Sequence, residues 1–548
     1  MASRARGTDR LGESLTALCG GALALNVLLV LSLLALLASY GLGYFWQKKL
    51  VRLELADGAV ILGEIHDREA IPLDEADGAT AALVHRIQVK VGNRELNGAD
   101  FRWVDEAQIR RLSYPADATV LERLEWGNFY GSMVELRRGE HVLAAGPDAV
   151  WKAFEALRRR KGTELAALRR FERRDVGAVN TAMERLRLQQ RQLDLQGGTD
   201  AAQSGRRAGL DRQVTERQGE FDALAGRLAA LRAQYLAEVL VLEAADGTRK
   251  EVPAGQIVRA VRPNSMGRRA TLSLYLSRCW EFVHDDPRES NTEGGIFPAI
   301  FGTVLMVFLM SVAVVPLGVL AALYLREYAQ QGAMVRMVRI AVNNLAGVPS
   351  IVFGVFGLGF FVYFVGGTID AWFYPEALPT PTFGTGGVLW ASLTLALLTV
   401  PVVIVATEEG LAAVPRVVRE GSMALGATKL ETTWRVVIPA AAPGILTGLI
   451  LAMARAAGEV APLMIVGMVK LAPSLPVDAT FPFLHLERKF MHLGFHIYDV
   501  GFQSPNVDAT KPLVFATALL LIAVVTAMNL VAIFVRNRLR RKYAASAV

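Results

Sequence analysis

Two charged residues, Arg455 and Glu459, stand in the otherwise apolar stretch "LAMARAAGEVAPLM". Four residues apart, they share one face of an α-helix. Each charge at bilayer depth costs at least about 2.5–3.5 kcal/mol, so such residues turn inward and line pathways or pair with one another. The guanidinium of Arg455 offers a planar fork suited to phosphate oxygens. The Glu459 carboxylate repels a bare anion but accepts a hydrogen bond from the protonated oxygen of HPO₄²⁻, a proton that sulfate lacks at neutral pH. The competing reading is an internal ion pair that only holds helices together.

Other candidate chemistries fail on spacing. His492 and His496 in "HLGFH" have the i,i+4 spacing of two imidazoles on one helical face, but the glutamate of the zinc-protease motif and a third ligand are missing. "GSMALGATK" opens like a phosphate loop, yet Ala427 occupies the position that needs lysine and no strand precedes it. No Ser/His/Asp set has a recognisable spacing. Cys19 and Cys279 make no disulfide framework, because Cys19 lies in an apolar run. The sequence predicts a non-catalytic chain that binds no metal and no cofactor.

The elements that must position these residues are membrane spans. Of 548 residues 52% are hydrophobic while 20% are charged, a balance that suits a membrane protein with a sizeable soluble part. Six runs reach the roughly 20 apolar residues that a crossing needs: Ser14–Trp46, Ile296–Leu325, Ile340–Gly366, Gly386–Thr407, Pro443–Val469 and Pro512–Val535. The first is too long for a signal-peptide core and is expected to stay as an anchor. Arginine and lysine between spans two and three (Arg326, Arg336, Arg339), between spans four and five (Arg416, Arg419, Lys429, Arg435) and after span six put those segments on the cytoplasmic side. With six spans both termini are then cytoplasmic, and 47–295 lies outside the cytoplasmic membrane. The expected divisions are a cytoplasmic 1–13, span one at 14–46, an exported domain at 47–295, a transmembrane domain at 296–540 and a tail at 541–548.

Within 47–295 two textures alternate. "VRLELADGAVILGEI" has strand-like alternation around Asp57-Gly58, a hairpin signal, and "VLVLEAADGTRKEV" repeats it around Asp246-Gly247, so the chain is expected to return to one small β-domain. Between them, 151–238 is expected to be an antiparallel helical hairpin. Leu210, Val214, Arg217, Phe221, Leu224, Leu228, Leu231 and Tyr235 trace a seam, whereas Glu172 and Asp175 interrupt the first arm. This hairpin carries 18 Lys/Arg against 12 Asp/Glu, which reads as a solvated exterior or as a basic arm for lipid headgroups. Aromatic interleaving that would suggest nucleic acid is lacking.

Between spans four and five, Arg416–Arg435 reads as a short helix at the cytoplasmic face, broken by Gly426 and redirected by Pro439 and Pro443. Its pattern is Glu420-Gly421-Ser422, then Gly426, then Val436-Val437-Ile438-Pro439. It resembles the EAA loop of ABC importer permeases, with Gly421, Val436 and Ile438 departing from the commonest form. Gly421 lowers helix propensity by about 1 kcal/mol relative to alanine. "GGIFPAIFGTVLMV", "NNLAGVPSIVFGVFG", "TVPVVIVATEEGLAAVP" and "LAMARAAGEVAPLM" together resemble the A-type permease subunits of phosphate ABC importers (the Pst system) over roughly 294–540. "VRLELADGAVILGEIHDREAIP" and "ERLEWGNFYGSM" resemble the amino-terminal extension of its long forms.

That resemblance implies an α-helical membrane protein of the type I ABC importer permease fold, with an inserted extracytoplasmic domain of strands plus coiled coil. It implies a coupling loop at 416–440 in which Glu420, Gly421, Ser422, Gly426 and Pro439 meet an ATPase subunit, and a substrate pathway at Arg455 and Glu459. Val460 replaces the threonine usual in that run, so any role of its hydroxyl is lost. The implied partners are a homologous C-type permease, two copies of a cytoplasmic ATPase that carries ATP and magnesium, an extracytoplasmic phosphate-binding protein and membrane lipid, with no nucleic acid. Another oxyanion as substrate, or a membrane-anchored sensor or scaffold using the coiled coil, are the alternatives.

Overall fold

The computed structural model describes residues 2–71, 84–197, 201–504 and 507–544. Two compact units emerge. One comprises Met1–Trp46, Ile296–Val362 and Gly386–Val548, the other Gln47–Gly295 and Tyr363–Thr385.

The first unit is helical. Six helices are long and apolar enough to cross a membrane: Gly12–Gly43, Phe297–Tyr328, Ser350–Phe373, Val388–Ala413, Lys429–Gly458 and Thr510–Arg541, called spans one to six below. Span three continues into the second unit. Span four is the most enclosed, and small residues let its neighbours approach. A Cβ on Gly444 would stand 2.6 Å from Gly410 Cα, and one on Gly448 would stand 2.7 Å from Ala406 Cβ. Gly318 of span two meets Val403 in the same way. The core between these helices includes Met306, Met310, Leu395, Ala452 and Ala456.

Several boundaries differ from the sequence expectation. The first helix runs unbroken from Ala2 to Gly43, so 1–13 is not a separate stretch. Span three begins at Ser350 rather than Ile340, because Pro349 forces an extended approach and ends the preceding helix, Ala333–Leu345. The last helix continues through the expected boundary at 540 to Ala544, and 545–548 of the tail lie outside the described residues. Residues 363–385, expected within the transmembrane domain, group with the second unit. There the buried Asp370 accepts from the backbone N–H groups of Phe383 and Gly384, at 2.9 and 2.6 Å.

Among the described residues the second unit holds two large antiparallel sheets and a two-stranded ribbon, Pro287–Arg288 with Glu293–Gly294. Strands β1 (Val51–Leu55), β2 (Val60–Ile71), β3 (Val84–Lys90), β4 (Phe101–Asp105) and β5 (Ile109–Ser113) form one in the order β4-β3-β2-β1-β5. Residues β6 (Thr119–Arg123), β7 (Phe129–Arg138), β8 (His141–Ala145), β9 (Glu238–Glu243), β10 (Arg249–Pro253) and β11 (Ile257–Val261) form the other in the order β10-β9-β7-β6-β11, with β8 also on β7. Gly58 and Gly247 turn their hairpins at φ +86° and +84°, left-handed values that favour glycine. The chain does return after the helices: β9 pairs with β7, Leu242 opposite Met133.

The inserted hairpin consists of Pro147–Phe171, Gly177–Leu195 and Ala201–Tyr235. A π-turn at Glu172–Val176 marks the interruption, where Glu172 pairs outward with Arg232 at 2.7 Å. Arg217, expected on the seam, is exposed and pairs with Glu220 along its own helix. Val150, Phe154 and Leu157, on one stripe of the first helix, anchor the hairpin in the core of the second sheet beside Leu240 and Leu242. Lys161 continues that stripe and is buried, its Nζ 2.6 Å from Glu238 Oε2 and donating to the Tyr235 carbonyl at 2.7 Å. Burial pushes the Glu238 carboxyl up, but Lys161 with Arg138 and Arg160 outweighs it and holds it below the usual range. Removing one partner of a buried pair leaves an uncompensated charge. Lys161→Ala is therefore expected to cost about 3 kcal/mol, read as lost hydrogen-exchange protection in 147–171 and 201–235; unchanged protection there would show that apolar packing alone seats the hairpin.

Candidate functional site

Two places carry the functional residues expected from sequence. The first is the end of span five. That helix stops at Gly458, where Pro462, lacking an N–H, leaves the Gly458 carbonyl without its intrahelical donor. Glu459 is extended (φ −79°, ψ 131°), and a six-residue helix, Ala461–Val466, resumes after Val460. The expected continuous span Pro443–Val469 is thus corrected to a broken one. Pro462 is held tightly by span three, since a Cβ on Gly354 would lie 2.6 Å from Pro462 Cα. Non-helical backbone at membrane depth is tolerated where it is buried in protein or lines a cavity.

Arg455 and Glu459 flank this break. Arg455 Nε lies 3.7 Å from Glu459 Oε1, an ion pair too long for a hydrogen bond. Among the described residues no protein group accepts from the Arg455 guanidinium, which is left half-buried with its donors available. By contrast, the hydroxyls of Ser392, Thr394 and Thr399 on span four donate to carbonyls of their own helix at 2.7–2.8 Å.

Farther along, His492 caps the helix Leu493–Tyr498, its Nδ1 accepting from Gly494 N–H at 3.1 Å. His496 stands 3.4 Å from Thr517 Oγ1. Both rings are buried, and burial pushes the His492 imidazole down to about 4. No cluster of metal-ligating side chains is present among the described residues.

The second place is the connection between spans four and five. Arg416–Ala424 is a nine-residue helix with no buried side chain. Gly426 turns at φ +89°, and Thr428 then caps the next helix through a capping box with Glu431. Ser422 Oγ and Thr432 Oγ1, 2.9 Å apart, tie the two helices together. Glu420 and Gly421 are exposed, and a Cβ on Gly421 would meet open space. Pro439 does not redirect the chain as expected. A π-turn at Thr433–Val437 precedes it and accommodates its missing N–H, so span five runs on from Lys429.

Sequence reasoning missed what fastens this connection. Arg419 donates to the Val414 and Leu411 carbonyls at 2.5 and 2.7 Å, capping the open end of span four, and to Glu327 Oε1 at 2.9 Å. Glu327 sits in the π-turn Tyr324–Tyr328 that ends span two. Arg339 grips the same turn through the Leu325 carbonyl at 3.3 Å and bonds Glu408 of span four at 3.2 Å. Lys429 Nζ lies 4.8 Å over the Tyr328 ring. Leu425, at the tip, is 91% exposed. A lone glutamate closing an apolar span amid arginines was the available signal for Glu327.

Comparison with known proteins agrees with this geometry. Residues 314–544 match the family described as "Binding-protein-dependent transport system inner membrane component". That segment is a permease domain of this kind. Phosphate transport system permease protein PstA 1 of Mycobacterium tuberculosis is 38% identical over 172 residues, 31% of this chain and 51% of that protein. The probable phosphate transport system permease protein PstA of Methanocaldococcus jannaschii is 34% identical over 189 residues, covering 34% and 60%. PstA of Yersinia pestis is 36% identical over 183 residues, covering 33% and 56%. The chain thus spans roughly half to three fifths of the length of these relatives. Over part of its length the chain is thus similar to PstA permeases, and it carries six helices long and apolar enough to cross a membrane together with a β-rich unit and its helical hairpin.

The permease domain yields two predictions. Arg419→Lys keeps the charge but loses the fork, so hydrogen exchange should rise in Leu411–Ala424 and Tyr324–Tyr328 while Lys429–Gly458 stays protected. Unaltered exchange at Leu411–Ala424 would show that the guanidinium fastens nothing. For His492, the folded state resists protonation, so stability is full above about pH 6.5 and declines as the unfolded state takes up protons between there and about 4. Protection of the 490–499 segment, corrected for intrinsic exchange, should fall by up to about 3 kcal/mol across that window. His492→Gln should flatten the dependence.

Proposed function

We propose that this chain is the permease subunit of an ATP-driven importer of inorganic phosphate and forms half of its translocation pathway. What carries the proposal is the Arg455 guanidinium, which stands at a break in a membrane helix with donors that no group among the described residues uses. An oxyanion supplies the missing acceptors, and Glu459 beside it favours an anion that still bears a proton. The relatives, phosphate transport permeases from bacteria and an archaeon, support phosphate as that anion.

On this reading Glu420–Pro439 faces the cytoplasm and seats in an ATPase subunit through Glu420, Gly421, Ser422, Gly426 and Pro439, with the exposed Leu425 at its tip. ATP and magnesium belong to that subunit. A second, homologous permease, two ATPase copies and a phosphate-binding protein complete the importer, both termini are cytoplasmic, and 47–295 is extracytoplasmic. Movement of the ATPase pulls on Arg419, which carries the ends of spans two and four with it.

ATP-dependent [³²P]phosphate uptake by the reconstituted importer tests this. Arg455→Lys should assemble normally and lower uptake at least tenfold, since an ammonium replaces a bidentate fork. Normal uptake by that variant removes Arg455 from the pathway, and equal competition by sulfate rejects the proton filter at Glu459.

A further inference from the structure

The helix Arg268–His284 of the β-rich unit presents an apolar stripe that none of the described residues of its own unit covers. Leu272, Leu276 and Trp280, each four residues from the next, are 52%, 59% and 66% exposed. Trp280 stacks on His284 at the helix end, with ring centroids 3.6 Å apart. Arg268 and Arg269 are exposed at the opposite end. The other face is fixed within the unit: Phe282 is buried, Arg259 bonds Glu281, and Arg278 pairs with Glu122 at 2.5 Å. Burial pushes the Glu122 carboxyl up, but Arg278 and Arg259 outweigh it and keep it charged. The stripe is therefore held outward by a rigid, charge-paired inner face.

Two further contacts tie this helix to the places where the chain crosses the membrane. Arg278 Nη2 donates to Gln47 Oε1 at 2.7 Å, and Gln47 directly follows Trp46 at the end of the first hydrophobic segment. Beyond His284, the antiparallel pairing of Pro287–Arg288 with Glu293–Gly294 folds up the short connection to span two, which begins at Phe297. Gln47 adjoins one crossing and His284 lies 13 residues before the next across a folded connection, which brings the His284 end of the helix toward the level of the lipid headgroups. A helix there, with leucines and tryptophan on its outward face and arginines at one end, has the chemistry of an interfacial helix.

We propose that Arg268–His284 lies in the outer surface of the lipid bilayer, with Leu272, Leu276 and Trp280 immersed at the headgroup–acyl boundary and Arg268 and Arg269 among lipid phosphates. The helix thereby fixes the β-rich unit at the membrane surface through lipid. This assignment rests on the multi-pass character of the chain and not on its cargo.

Spin labels test it in the full-length chain, reconstituted in nanodiscs of phosphatidylethanolamine and phosphatidylglycerol, with Cys19→Ser and Cys279→Ser as background. Labels are placed at Leu272→Cys, Leu276→Cys and Trp280→Cys, and at Glu140→Cys in an exposed turn as the aqueous reference. Immersion predicts that collision with oxygen exceeds collision with a nickel chelate several-fold more at the three stripe positions than at position 140. Ser273→Cys, a small exposed neighbour, supplies the same reading with less disturbance to the leucines. A ratio equal to that at 140 overturns the proposal in favour of a solvated face. Low collision with both reagents overturns it in favour of a protein partner on the stripe.

Discussion

One guanidinium fastens the connection between spans four and five to the helix bundle. Arg419 holds two carbonyls at the open end of span four and the carboxylate that closes span two. The last carbonyls of any helix lack intrahelical donors, so a cation placed there meets both an orphaned acceptor and the negative end of the helix dipole. Because the fork is rigid and its acceptors lie on the ends of two spans, the helix Arg416–Ala424 cannot shift without moving those ends or breaking bonds. Arg339 and Lys429 approach the same π-turn from other sides. The turn Tyr324–Tyr328 is thus a junction where spans two, four and five and the connecting helix meet.

Farther into the bundle the transmission depends on packing rather than charge. Gly444 and Gly448 of span five lie against Gly410 and Ala406 of span four with almost no side chain between the backbones. Interfaces of that kind are stiff along the contact and slide poorly, so span five follows span four. Span five then ends abruptly at Gly458, and the residues past the break are gripped by span three through Gly354 and Pro462. The run of contacts that begins at Arg419 thus ends at a break of extended backbone, and Arg455 and Glu459 stand on either side of it.

Much of this was legible in the sequence because the bilayer is a strict solvent. Apolar length alone located six helices, and Asp57-Gly58 and Asp246-Gly247 located two hairpins by the need for left-handed φ. Helix breaks were less legible. Pro439 and Pro462 look alike as letters, yet one is accommodated by a π-turn and the other ends a span, because only the second has a glycine, Gly458, four residues before it and is clamped by a neighbouring helix. The arginines were read as a charge bias that orients loops. Their partners, Glu327 and Glu408, lie 92 and 69 residues away, and no local pattern announces a pair at that separation.

The contrast among arginines bears most directly on function. Arg419 and Arg339 each bond several acceptors, a carboxylate among them, as a cation removed from water must. Their charge is spent on structure. Arg455 has one carboxylate at ion-pair distance and no hydrogen bond to it. A fork at this depth with unused donors is destabilising unless something else supplies oxygens. The break in span five leaves Glu459 on extended backbone with its carboxylate 3.7 Å from the guanidinium, outside hydrogen-bonding range. On the pathway reading proposed above, that separation suits a site that must bind an anion and then release it, because the protein's own carboxylate is then close enough to compete and too far to win.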